Sequence, residues 1–169
     1  VDEFEKGIVD KNVQLLDVRT AGEFRNGHLK GALQANWNDS EEFQKRTQAL
    51  DKTKPVYVYC LSGARSNAAA EWLLSNGFSN VVELMGGYSN WKRIGKPIEG
   101  SPNVKQMSVQ DYEQLINGKG YVLVDFGAEW CPPCRKMDPV INSFISKNRD
   151  LFFLKIDAGV QTDLVKKFN

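Results

Sequence analysis

Histidine is almost missing from this chain: His28 stands alone among 169 residues, and there are only three cysteines. That scarcity rules out a histidine-rich metal site and leaves a Cys-x-x-Cys pair without the second pair of ligands that zinc requires. Three unevenly placed cysteines also rule out a small scaffold stapled by disulfides. Neither sign of charge is in excess, with 22 Lys and Arg against 21 Asp and Glu, so no broad basic field exists to hold a nucleic acid or an anionic membrane surface. No apolar run approaches the roughly 20 residues of a membrane span. The N-terminus has no basic segment leading into an apolar core of signal-peptide type, which says little, because Val1 reads as lying inside a domain. Repeats and low-complexity segments are absent. Small molecules and other proteins are the expected partners, with no nucleic acid, no membrane and no cofactor.

What the chain does have is cysteine in two unlike settings. Cys60 lies alone in Cys60-Leu61-Ser62-Gly63-Ala64-Arg65-Ser66, and a pair occupies Trp130-Cys131-Pro132-Pro133-Cys134. Between them, Pro97-Ile98-Glu99-Gly100-Ser101-Pro102-Asn103 is poor in apolar residues and rich in turn formers, and reads as a linker. It predicts two domains, 1–100 and 101–169. In the first, Val13 to Val18, Pro55 to Tyr59 and Val81 to Leu84 are short β-type runs separated by helical stretches, which argues for an α/β domain with a mostly parallel sheet. Ala69, Trp72 and Leu73 recur at helical spacing before a stop at Gly77, so Cys60 falls between a strand end and a helix start. In the second domain, Tyr121 to Phe126 and Leu151 to Ile156 flank a helix from about Pro132 to Lys147, a second βαβ unit.

The surroundings of Cys60 suit an anion. A strand turning through Leu61, Ser62, Gly63 and Ala64 into a helix near Ser66 aims several backbone N–H groups at one point, where the helix dipole adds positive potential. A sulfur there is expected to be a thiolate near neutral pH, with Arg65 reinforcing the effect and Gly63 permitting an unusual backbone. Such a cysteine can attack an electron-poor sulfur and carry it as a persulfide. The plainer reading is a buried cysteine at a strand end, common for that residue.

Asp17-Val18-Arg19-Thr20-Ala21-Gly22-Glu23-Phe24, Gly27-His28-Leu29-Lys30-Gly31-Ala32, the Cys60 loop and Gly86-Gly87-Tyr88-Ser89-Asn90-Trp91 occur in the order found in rhodanese domains. Residues 1 to about 100 therefore resemble that family. Its sulfurtransferases have four residues between the loop Cys and Arg, as Leu61 to Ala64 are here, and its phosphatase-like relatives have one more. The resemblance thus implies sulfur transfer rather than phosphate-ester hydrolysis, with Cys60 and Arg65 catalytic and Leu61, Ser62, Gly63, Ala64 and Ser66 holding substrate. Leu61 departs from members that use thiosulfate readily and often carry a basic residue in the loop, which favours a persulfide or polysulfide donor. Asp17, Arg19 and Glu23 are candidates to line the pocket, although an ion-pair network between strand end and loop is the more favoured reading. His28, Trp72 and Trp91 read as structural.

Cys131 and Cys134 are three residues apart, so on a first helical turn they share a face and can close a small disulfide. Cys131, nearer the helix N-terminus, is expected to have the lower pKa and attack first. Pro132 and Pro133 suit a first turn, whereas Pro139 is expected to kink the helix. Residues from about Asn103, and Val124 to Pro139 in particular, resemble thioredoxin. That match implies Cys131 as nucleophile, Cys134 as resolving thiol and Asp125 as a buried acid assisting proton movement, its pKa raised by burial. Pro132 replaces the family's usual glycine, and Gly127 replaces a common tryptophan, opening space beside the motif.

The thioredoxin resemblance stops at Asn169, before the family's cis-proline strand. The expectation is a truncated thioredoxin-like domain, with β-strand edge and apolar surface uncovered, in a fragment of a longer protein, and a swapped dimer as one way to complete it. The expected function is a sulfurtransferase whose Cys60 persulfide is reduced by the Cys131/Cys134 dithiol. The alternative is a protein disulfide oxidoreductase, acting on thiol or disulfide proteins, with the first half as a sensing or protein-binding module. Fusions of this kind look bacterial, and cytoplasm and periplasm are equally compatible.

Overall fold

The computed structural model describes residues 1–100, 105–128 and 131–168. The chain divides into two compact units, Val1–Pro102 and Asn103–Asn169.

The first unit is an α/β layer built on a parallel sheet. In chain order it contains α1 (Asp2–Ile8), β1 (Gln14–Asp17), α2 (Ala21–Arg25), β2 (Leu33–Gln34), α3 (Ser40–Thr47), β3 (Val56–Tyr59), α4 (Ala64–Ser75), β4 (Val81–Glu83) and α5 (Gly87–Arg93). The strands lie in the order β2-β1-β3-β4, all parallel. Strands covered on both faces read as apolar runs rather than alternating ones. Accordingly Leu15 and Leu16 of β1, and Val56, Val58 and Tyr59 of β3, are all buried. Of these, Leu16, Val56 and Val58 meet Phe43 of α3 and Ala69 and Leu73 of α4 in one core, edged by Trp37 and Trp72, whose rings stand on Phe43. Local chemistry sets the helix starts. Thr20 and Glu23 form a reciprocal capping box on α2, and Asp39 caps α3 through the Glu42 N–H.

The sequence-predicted strands match β1, β3 and β4 to within a residue or two. The linker does not match as drawn. Glu99 pairs with His28 in an antiparallel bridge, and Trp91 donates its indole N–H to the Pro97 carbonyl at 2.9 Å. Pro97 to Gly100 therefore belong to the first unit, held by backbone pairing that turn-residue composition does not reveal. Ser101 to Asn103 lie outside the described residues.

The second unit contains α6 (Val109–Ile116), β5 (Val122–Gly127), α7 (Pro132–Lys147), β6 (Phe152–Asp157) and α8 (Thr162–Phe168). β5 and β6 pair in parallel from Val122 with Phe152 to Gly127 with Asp157, as the predicted βαβ unit requires. A small cluster of Tyr112, Ile156 and Leu164 forms its core, bordered by Met107, Val124, Phe126 and Leu154. α7 runs as one helix with Pro139 inside it. Met137, Val140 and Phe144 are exposed along that helix.

Candidate active site

Cys60 follows the last residue of β3, at the carboxyl edge of the sheet. The chain proceeds from β1 outward to β2 and from β3 outward to β4, so the order reverses between β1 and β3. Crevices at such reversals are where open parallel sheets bind ligands. The turn into α4 wraps the sulfur. Gly63 donates its N–H to Cys60 Sγ at 3.1 Å, and Ser66 Oγ lies 3.3 Å from the same sulfur. Gly63 has φ +121°, a conformation closed to other residues, and it starts α4. Leu61, Ser62 and Ala64 are exposed while Cys60 beneath them is 1% accessible, so the loop turns side chains outward and N–H groups inward.

Burial alone raises the Cys60 pKa, because a thiolate is poorly solvated there. The Ser66 hydroxyl and the N–H groups of Ser66, Gly63 and Ser62 outweigh burial, and the thiol falls below its ordinary value. This is the anion-stabilising loop expected from the sequence. Its carbonyls are held in turn by α5: the N–H of Tyr88 donates to Cys60 O at 2.8 Å and that of Ser89 to Leu61 O at 2.9 Å.

Arg65 is engaged elsewhere than expected. Its guanidinium makes two hydrogen bonds to the Glu23 carboxylate, at 2.7 and 2.8 Å, although its charge still acts on Cys60. These bonds, with lesser help from Thr20, overcome partial burial and hold the Glu23 carboxyl at about 2. Asp17 and Arg19 are both fully buried and bonded to each other at 2.6 Å, with the Arg19 guanidinium also reaching the Gly27 carbonyl and stacking 4.1 Å from the Tyr88 ring centre. Their charges serve each other. His28 stacks on Phe24 and bonds the Phe24 carbonyl through Nδ1, in keeping with a structural role.

One acidic group at the site escaped the sequence reading. Ser66 Oγ lies 2.6 Å from Glu83 Oε1, at the end of β4. Parallel pairing of Val58 with Glu83 brings the carboxylate beside the loop. Neither motif nor local spacing signals that register.

In the second unit Cys131 caps α7 and is joined to Cys134 by a disulfide, with Cα atoms 5.2 Å apart. Pro132 occupies the first helical position, where no N–H is needed. Asp125 is half-buried rather than buried. Its carboxylate lies against Gly127, where a Cβ would stand 3.0 Å from Asp125 Oδ1, so the space left by that glycine receives the acid. Glu129 and Trp130 lie outside the described residues.

A parallel α/β sheet with a cysteine-centred anion loop at its switch point, followed by a unit with a helix-capping Cys-x-x-Cys, defines the class of protein. The family description "Rhodanese-like domain" matches residues 1–94 and "Thioredoxin" matches residues 103–169. The chain belongs to the rhodanese-like family and carries a thioredoxin domain after it. Among curated proteins, tRNA uridine(34) hydroxylase of Staphylococcus aureus is 35% identical over 92 residues, 53% of this chain and 29% of that one. The chain thus spans less than a third of the length of the curated relatives it matches. Among solved structures, the rhodanese-like domain of an Anabaena sp. protein is 30% identical with TM-score 0.51, covering 62% of this chain and 81% of that one. A rhodanese-related protein of Thermoplasma volcanium is 28% identical with TM-score 0.51, covering 58% and 92%.

Proposed function

We propose that the protein is a sulfurtransferase that carries sulfane sulfur on Cys60 and delivers it to the Cys131/Cys134 dithiol. The observation that carries this reading is the buried Cys60 sulfur facing inward N–H groups in a loop of four residues before Arg65. Such a loop stabilises one negative charge on the first sulfur or on the persulfide built from it. The Cys60 thiolate attacks the outer sulfur of a donor R–S–SH; the donor S–S bond breaks, RS⁻ departs, and Cys60–S–SH remains. The Cys131 thiolate takes that outer sulfur, freeing the Cys60 thiolate. Cys134 then attacks the inner sulfur of the Cys131 persulfide, closing the disulfide and releasing hydrosulfide. Two electrons pass from the dithiol to sulfane sulfur, and an external dithiol reductant must reopen the disulfide. Linkage of the two units raises the effective concentration of each for the other.

The test is intact mass of the reduced protein after incubation with an excess of thiosulfate or a polysulfide, so that Cys60 reloads once the dithiol has closed as a disulfide, followed by cyanide. One added sulfur that cyanide removes, absent from Cys60→Ser, supports the reading. No adduct from either donor transfers the weight to protein disulfide exchange at Cys131 and Cys134, which Cys60→Ser leaves intact.

A further inference from the structure

We propose that Glu83 is a specificity-determining residue of the Cys60 site, one that disfavours doubly charged sulfur donors and leaves singly charged or neutral ones as substrates. The inference rests on the reading of Cys60 as a sulfur acceptor and adds the charge class of the donor.

Ser66 Oγ is fully buried and has one proton to donate, but three acceptors surround it: Glu83 Oε1 at 2.6 Å, the Gly63 carbonyl at 3.0 Å and Cys60 Sγ at 3.3 Å. The shortest contact is to the carboxylate. The hydroxyl that helps to lower the Cys60 pKa is thus shared with a competing anion, and its support of the sulfur is reduced to the extent that its proton is on Glu83. Glu83 also reaches the loop turn itself, since a Cβ on Gly63 would stand 3.6 Å from Glu83 Oε1. Among the described residues Glu83 has no cationic partner to cancel its charge.

The one arginine of the loop does not restore the balance. Arg65 is paired with Glu23 through two hydrogen bonds from its guanidinium, so the positive charge it lends to Cys60 is offset by that carboxylate. The loop therefore offers N–H groups enough for one negative charge, while the surrounding side chains add a carboxylate separated from the sulfur by a single hydroxyl. A dianion such as thiosulfate meets that carboxylate with one more unit of charge than a thiosulfonate or persulfide does. In a half-buried site, one unit of charge at this range changes rates by about fivefold to tenfold.

Two pairs of probes that differ by one charge test this. Methanethiosulfonate and thiosulfate present similar sulfane sulfurs as a monoanion and a dianion; iodoacetamide and iodoacetate alkylate the same thiolate as a neutral molecule and an anion. On the reduced full chain, with rates read at Cys60 by peptide mass, Glu83→Gln should raise the thiosulfate-to-methanethiosulfonate and iodoacetate-to-iodoacetamide rate ratios by about fivefold to tenfold. Glu83→Ala should repeat the rise, and Glu83→Asp, which keeps the charge, should hold the wild-type ratios. Should neither donor load Cys60 while the iodoacetate ratio still rises, the sulfur-transfer reading falls and the role of Glu83 stands. An iodoacetate ratio unchanged in both Glu83→Gln and Glu83→Ala overturns the role of Glu83, whatever the donors do.

Discussion

Two carboxylates govern how much positive charge the Cys60 loop presents, and they do so in different ways. Glu83 competes for a hydroxyl proton, whereas Glu23 occupies the guanidinium of Arg65. The Glu23 bond also has a signature in stability. Its carboxyl is held at about 2, below the ordinary 4.5, so the ionised form is the one folding favours. The resulting stabilisation is fully present above the ordinary value and is lost as pH falls through about 2. With roughly a quarter of each side chain exposed, about 2 kcal/mol is the expected size. Thermal unfolding at stepped pH should show Glu23→Gln less stable than wild type at pH 7, with the two converging between pH 4.5 and 2. A second expectation concerns Cys60 itself: its alkylation rate should reach half-maximum below the ordinary thiol value of 9.0, and a profile centred at or above it would contradict the loop's effect.

At the scale of elements, the Cys60 turn is clamped between the start of α4 and the start of α5. Gly87, at φ +59°, is where the second clamp closes, and a Cβ there would lie 2.6 Å from Cys60 O and 2.7 Å from the Leu61 carbonyl. Backbone atoms cannot move aside as a flexible side chain would. Gly87→Ala should therefore cost about 2 kcal/mol in stability and slow Cys60 alkylation at least about tenfold by displacing the loop. A fully active, fully stable variant would show that α5 does not set the loop. The Gly86-Gly87 pair was legible in the sequence as part of a recurrent segment. Its purpose was not, because the contact joins residues far apart in the chain and depends on how α5 docks against the end of β3.

At the scale of the whole molecule, the two units have cores of unequal size. Among the described residues, the first gathers twelve buried residues from Leu16 to Phe78 in one cluster, whereas the second gathers Tyr112, Ile156 and Leu164. A two-stranded sheet with a core that small has little apolar burial to offset the entropy of ordering it. Heating should therefore give two transitions, the one reporting residues 105–168 coming first, with amide exchange there faster than in β1 and β3. A single coincident transition by calorimetry and exchange would show that the units unfold as one.

The sequence by itself determined the division into two units, the parallel α/β character of the first, the βαβ core of the second and the places of the cysteines at a strand-to-helix turn and a helix start. Each rests on signals carried by neighbours in the chain: apolar runs at strand length, helix caps, a glycine in a tight turn, two cysteines one helical turn apart. The tertiary structure decided how the charges are partnered. Arg65 turns to Glu23, Asp17 and Arg19 are buried against each other, Pro97 and Glu99 are pinned by Trp91 and His28, and Glu83 arrives beside Cys60 through the register of β3 with β4. Charge pairing acts through space over a few ångströms, and strand register fixes which distant residues share that space, so local pattern alone leaves those partners open.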